Sequence, residues 1–159
     1  MQTNLVSYCG RKKKLNRVDS RNNWVEFMFK TKCGYQNFRK QSHINTCTAA
    51  FRNLERFGFQ FDEIGFGGNH LHFLVDIPKD YSVQNTEIML KCNSAHAMFE
   101  AHPGFRKRYP RGAFWSGYEH HQSAGLQTFQ GARAYIQSQP KHHNVTVIDD
   151  TQTIQSQLH

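Results

Sequence analysis

Apolar and polar residues alternate through NHLHFLVDIP (69–78), so the segment reads as a strand. Leu71, Phe73, Val75 and Ile77 share one face, and His70 and His72 share the other. The apolar face can pack on helices, which leaves the histidine face for chemistry. WVEFMFKTK (24–32) also alternates and predicts a first strand. Ile44, Cys47, Phe51 and Leu54 recur at helical spacing, with Gly58 placed to end that helix. FQFDEIGFGG (59–68) predicts a second strand, and Gly67-Gly68 a tight turn into the histidine strand. Ser82 is placed to cap a second long helix marked by Ile88, Cys92, Ala95 and Phe99, which Pro103-Gly104 stops. A basic loop, FRKRYPRG (105–112), precedes a fourth strand, AFWSGYEHH (113–121). Ser123-Ala124-Gly125 forms a flexible connection, and LQTFQGARAYIQSQ (126–139) a last helix ended by Pro140. The tail holds one further candidate strand, NVTVI (144–148).

The order β-α-β-β-α-β plus a terminal helix is the ferredoxin-like arrangement, an α+β fold with an antiparallel sheet and helices on one face. Three parts are expected: a basic N-terminal extension (1–23), one domain (24–140) and a polar C-terminal tail (141–159).

Composition adds a partner class. The chain has 159 residues, 13 phenylalanines and 38% apolar residues, which suits one domain with a single core. Twenty Lys+Arg against 12 Asp+Glu give a net charge of +8 and a pI near 9.5. Such a surface attracts polyanions, nucleic acid above all. RKKKLNR (11–17) is a charge run that solvent alone also explains. Lys91, Arg106, Lys107, Arg108 and Arg111 lie near Phe105, Tyr109, Phe114 and Trp115 in sequence. That mixture suits single strands, in which phosphates meet cations and bases stack. The cysteines, Cys9, Cys33, Cys47 and Cys92, have no zinc-type spacing and read as reduced thiols, with Cys47 and Cys92 in the core. No apolar run reaches the roughly 20 residues of a membrane helix, and no secretory segment opens the chain. A cytoplasmic, nucleoid-associated protein is expected.

His70 and His72 project to one side of their strand and can share a metal ion, although a strand can also expose two histidines without any ligand. On the last helix, Leu126, Phe129, Ala132 and Ile136 make an apolar stripe. Tyr135 lies about a quarter turn off that stripe, at 3.6 residues per turn. Its own face holds Thr128, Gly131 and Gln139, an odd place for a core tyrosine and a reasonable one for a reactive phenol. Gln139, four residues on, is its neighbour. With two imidazoles, the carbonyl oxygen of Gln139 would complete a three-point site for Mg²⁺ or Mn²⁺. Tyr109 and Tyr118 are the controls for Tyr135.

These elements together resemble the small single-tyrosine HUH transposases of bacterial and archaeal insertion sequences, REP-associated tyrosine transposases included. The resemblance covers residues 24–140. It is carried by the His-hydrophobe-His strand, LKCNSAH (90–96), FWS (114–116), the glycine ten residues after Trp115, and AYIQSQ (134–139). The segment YEHHQSAG is more polar than the strand usual in that family, and nothing in the sequence assigns a part to His120 or His121. The resemblance implies a homodimer that cuts and rejoins single-stranded DNA at hairpin-bearing element ends. His70, His72 and Gln139 would hold the metal and Tyr135 would be the nucleophile. Gly125 would be the hinge by which one subunit's helix completes its partner's site. Attack by the phenol would leave a 5′-phosphotyrosine and a free 3′-hydroxyl, so that no ATP is needed. The alternatives are a relaxase or replication-initiator-like enzyme, a domesticated palindrome-processing relative, a hydrolase using metal-activated water, and a non-catalytic nucleic-acid-binding domain.

Overall fold

The computed structural model describes residues 23–123, 126–142 and 147–151, without the side chains of 118–120, 122–123, 126–129 and 139–142. Four antiparallel strands, β1 (Trp24–Thr31), β2 (Gln60–Phe66), β3 (His70–Asp76) and β4 (Trp115–Ser123), lie side by side in the order β2-β3-β1-β4. Helices α1 (Gln41–Arg52), α2 (Val83–Ala101) and the short α3 (Phe105–Arg108) follow β1 and β3 in the chain, and α4 (Leu126–His142) follows β4. This is the expected ferredoxin-like α+β arrangement.

Strand alternation divides the two faces. Val25, Phe27 and Phe29 of β1 and Leu71, Phe73 and Val75 of β3 are almost fully buried in the main core, against Cys47 and Phe51 of α1 and Met89, Leu90 and Met98 of α2. Rings of Phe27, Phe29, Phe51 and Phe73 interlock there, with Phe27 and Phe73 stacked at 5.3 Å. On the other face, Leu74 of β3 meets Ile136 of α4, with Trp24 and Ala132 packed around them. The helix therefore lies over β2 and β3 on the histidine side of the sheet.

Local signals explain the ends. Gly58 adopts φ 98°, where a side chain would strain the backbone, and closes the turn after α1. The hydroxyl of Ser82 accepts from the Asn85 amide at 3.0 Å and starts α2.

Several expectations change. FRKR is one turn of helix inside the segment read as a loop, too short to show periodicity. Pro140 does not end α4, which runs on to His142. On α2 the buried face is Met89, Leu90, Ser94, Met98 and Phe99, whereas Ile88 and Cys92 are exposed. The face is rotated from the apolar stripe because Ser94, a polar residue, is buried: it donates to the Leu90 carbonyl at 2.6 Å and accepts from Trp115 Nε1 at 2.9 Å. The candidate strand NVTVI appears, among the described residues, as a single parallel bridge between Ile148 and Lys40.

That bridge fastens the tail to the start of α1. Gln41 donates to the Ile148 carbonyl at 2.8 Å, and Ile148 donates to the Arg39 carbonyl at 2.7 Å. The Asp150 carboxylate then accepts from the Ser42 amide at 2.8 Å and from the Ser42 hydroxyl. A carboxylate at a helix N-terminus satisfies amides that the helix leaves unpaired. These bonds hold the Asp150 carboxyl below its ordinary range.

Candidate active site on the histidine face of the sheet

Antiparallel register places Met28 opposite His72 and Lys30 opposite His70, so the imidazoles rise from the middle of the sheet. Their rings lie 5.6 Å apart, edge to face at 84°. Each is shaped by a neighbour. Asn69 Oδ1 accepts from His70 Nδ1 at 2.8 Å. Gly67 donates to the His70 carbonyl at 2.8 Å to close the hairpin, and a Cβ at Gly67 would fall within 2.8 Å of both His70 nitrogens. The turn needs a glycine because the ring occupies that space. Nδ1 of His72 is buried and, among the described residues, makes no hydrogen bond, with Glu26 Oε1 3.5 Å away.

The helix α4 brings the phenol. Ile136 is 1% exposed and anchors the helix on Leu74. At the β2 edge Arg133 Nε faces Asp62 Oδ2 at 3.0 Å and Glu63 Oε1 at 3.7 Å, and Gln137 donates to Glu63 Oε1 at 2.8 Å. A register break in β2 between Phe61 and Ile64 turns both carboxylates outward to receive them. Tyr135, next to Ile136 in the chain, is thereby left 45% exposed with its ring 5.5 Å from that of His72, at 82°. The structure thus brings His70, His72 and Tyr135 of one chain together. The Gln139 backbone continues α4 one turn beyond Tyr135, and its side chain lies outside the described residues. Gly125 also lies outside them, as does the side chain of Tyr118.

Tyr109 is a poor competitor for Tyr135. It is 4% exposed, its hydroxyl donates to the Lys32 carbonyl at 2.9 Å and accepts from Asn37 at 2.8 Å, and burial pushes its phenol up. Glu26 was missed in the sequence. Its signal was available: a carboxylate between apolar neighbours on the histidine-facing side of β1.

The basic residues do not share one surface. Lys91 is only 16% exposed, pairs with Glu87 at 3.1 Å and donates to the Ser116 carbonyl. Arg106, Lys107, Arg108 and Arg111 are exposed around α3, which Phe105 anchors in the main core. Arg106 lies over Phe99 at 4.3 Å, and Arg108 over Tyr35 at 5.1 Å. Arg108 also lines a 660 Å³ cavity with Arg39, Lys40, His43 and His102.

Two imidazoles side by side on one face of the sheet are a donor set that fits a divalent cation. Among the described residues no group of three His, Cys, Asp or Glu side chains forms a metal cluster. Also among the described residues, no helix is long and apolar enough to cross a membrane.

The fold and site together define an α+β protein whose antiparallel sheet carries a histidine pair under a tyrosine-bearing helix. Residues 19–139 match the family model described as "Transposase IS200 like". The chain belongs to the IS200-like transposase family, and that membership makes it a DNA transposase. Its fold is similar to that of a transposase candidate from Deinococcus radiodurans R1, with a TM-score of 0.61, 18% identity, and coverage of 80% of this chain and 98% of that one. It is also similar to a REP-associated tyrosine transposase bound to a REP hairpin, with a TM-score of 0.59, 14% identity, and coverage of 82% and 74%. No curated protein matches the chain.

Proposed function

We propose that this transposase cleaves and rejoins single-stranded DNA at hairpin-bearing ends, through a phosphodiester bond to Tyr135. The observation that carries the reading is the Tyr135 ring held 5.5 Å from His72 on a half-exposed helix face. The phenol oxygen attacks the scissile phosphorus, the bond from phosphorus to the 3′ oxygen breaks, and the phenol proton is lost as the departing 3′ oxygen gains one. A 5′-phosphotyrosine and a 3′-hydroxyl result. Attack by another strand's 3′-hydroxyl reverses the step and joins new ends. His70, His72 and Gln139 would hold Mg²⁺ or Mn²⁺, which when bound neutralises phosphate oxygens. Arg106, Lys107, Arg108 and Arg111 are the exposed cations proposed to meet DNA, and the net charge of +8 favours that partner. Binding of a REP hairpin by a protein of similar fold makes a hairpin the first substrate to try. A homodimer is part of the proposal, with light scattering as its check.

The test is a labelled single-stranded oligonucleotide with a hairpin end, incubated with Mg²⁺, with Mn²⁺ or with chelator. The expected result is a metal-dependent covalent protein–DNA adduct that Tyr135→Phe abolishes while hairpin binding persists. An adduct formed by Tyr135→Phe overturns the assignment.

A further inference from the structure

We propose that Glu26 is a positioning residue that holds His72 in its Nδ1–H tautomer, so that the lone pair on Nε2 is the one offered to a metal ion. This rests on the metal reading given under Proposed function. Three observations support it. Nδ1 of His72 is buried away from water and, among the described residues, has no hydrogen bond. Glu26 Oε1 lies 3.5 Å away, and both side chains are nearly enclosed, at 12% and 13% exposure. A contraction of a few tenths of an ångström makes this a charge-assisted hydrogen bond.

His70 supplies the third observation. The carboxamide oxygen of Asn69 accepts from His70 Nδ1 at 2.8 Å, which assigns that ring's proton to Nδ1 as well. The two imidazoles therefore have the same arrangement, an oxygen acceptor from the protein at Nδ1 and a lone pair on Nε2. Ligating histidines commonly give their other N–H to a carboxylate or carbonyl, which fixes ring orientation and raises basicity. The strands set this up. Glu26 is opposite Leu74, and Met28 is opposite His72, so Glu26 sits one diagonal step from the ring on the same face.

The test compares wild type, Glu26→Gln, Glu26→Met and His72→Ala in the full chain, by Mn²⁺ titration calorimetry and by long-range ¹H–¹⁵N spectra of the metal-free protein. Spectra are taken near pH ~8, where an imidazole is neutral. Glutamine keeps an acceptor oxygen, whereas methionine keeps the volume and removes the acceptor, so neither change empties the site. We expect the His72 proton on Nδ1 in wild type and Glu26→Gln, and a shift toward Nε2–H in Glu26→Met. Mn²⁺ binding should weaken roughly 10- to 100-fold in Glu26→Met and clearly less in Glu26→Gln. An unchanged tautomer and affinity in Glu26→Met overturn the inference. So does a loss in Glu26→Gln equal to that in His72→Ala, because Glu26 would then be a ligand. If wild type and His72→Ala bind Mn²⁺ alike, the metal reading itself fails, and the tautomer spectra still decide whether Glu26 positions the ring.

Discussion

Replacing Ile136 with alanine should release the tyrosine helix without unfolding the domain. Ile136 is 1% exposed, yet it belongs to a small cluster with Leu74, Trp24 and Ala132, separate from the main core. Large-to-small changes at fully enclosed aliphatic sites cost about 2–5 kcal/mol. Here the low end applies, about 2 kcal/mol, because the cluster is small and its other members, Trp24 and Ala132, are only partly buried and can close on the gap. The remaining ties of α4 are weaker. Arg133 is 48% exposed, so its ion pair with Asp62 contributes about 0–1 kcal/mol. The Gln137–Glu63 hydrogen bond adds about 0.5–1.5 kcal/mol. The substitution thus removes a large share of what docks the helix. At about 1.4 kcal/mol per decade, amides of α4 should exchange roughly 30-fold faster by hydrogen-exchange mass spectrometry. Protection in α1 and α2 should not change. Unchanged protection in α4 refutes the reasoning, and so does a parallel loss throughout the main core, which would make the two clusters one cooperative unit.

Two further outcomes follow from the site and its surroundings. Gly67→Ala should displace the His70 ring, since the new Cβ would enter its space; Mn²⁺ affinity should fall about tenfold or more while the melting temperature changes little, and unchanged affinity would show that the ring yields freely. His43 and His102, with rings 4.4 Å apart, are both held below their ordinary value of 6.5, chiefly by burial. The unfolded chain therefore takes up protons that the folded one resists, so stability should be lost as pH falls through about 6.5, read as a falling melting temperature between about pH 7.5 and 5.5. Replacement of His102 by glutamine should flatten that slope, and a flat wild-type profile would contradict it.

Much of this molecule could be read from residue spacing because the informative segments have two unlike faces. In β3 every second residue is apolar, and the alternation alone separates Phe73 in the core from His72 on the other side. Tyr135 stood out for the same reason, lying off an apolar stripe whose member Ile136 is buried. Reading failed where burial depends on partners distant in the chain. Ser94 is buried only because Trp115 and a helix carbonyl satisfy its hydroxyl, which rotated the apparent face of α2 and put Cys92 in the wrong place. Alternation places Glu26 on the face of β1 away from its apolar neighbours, but its closeness to His72 comes from strand register, which residue spacing does not give. Lys91 looked like a surface cation until Glu87, one turn before it, and the Ser116 carbonyl took up its ammonium group.

The fastening of Ile148 and Asp150 to the first turn of α1 gives the tyrosine helix a leash. From His142 to Ile148 the chain can reach at most ~20 Å when fully extended. Any excursion that carries α4 farther, toward a second copy for instance, has to unpick the Ile148 bridge and take the carboxylate off the Ser42 amide. In such an excursion the uncapped end of α1 would bear part of the cost, and chain trimmed before Ile148 would let the helix roam.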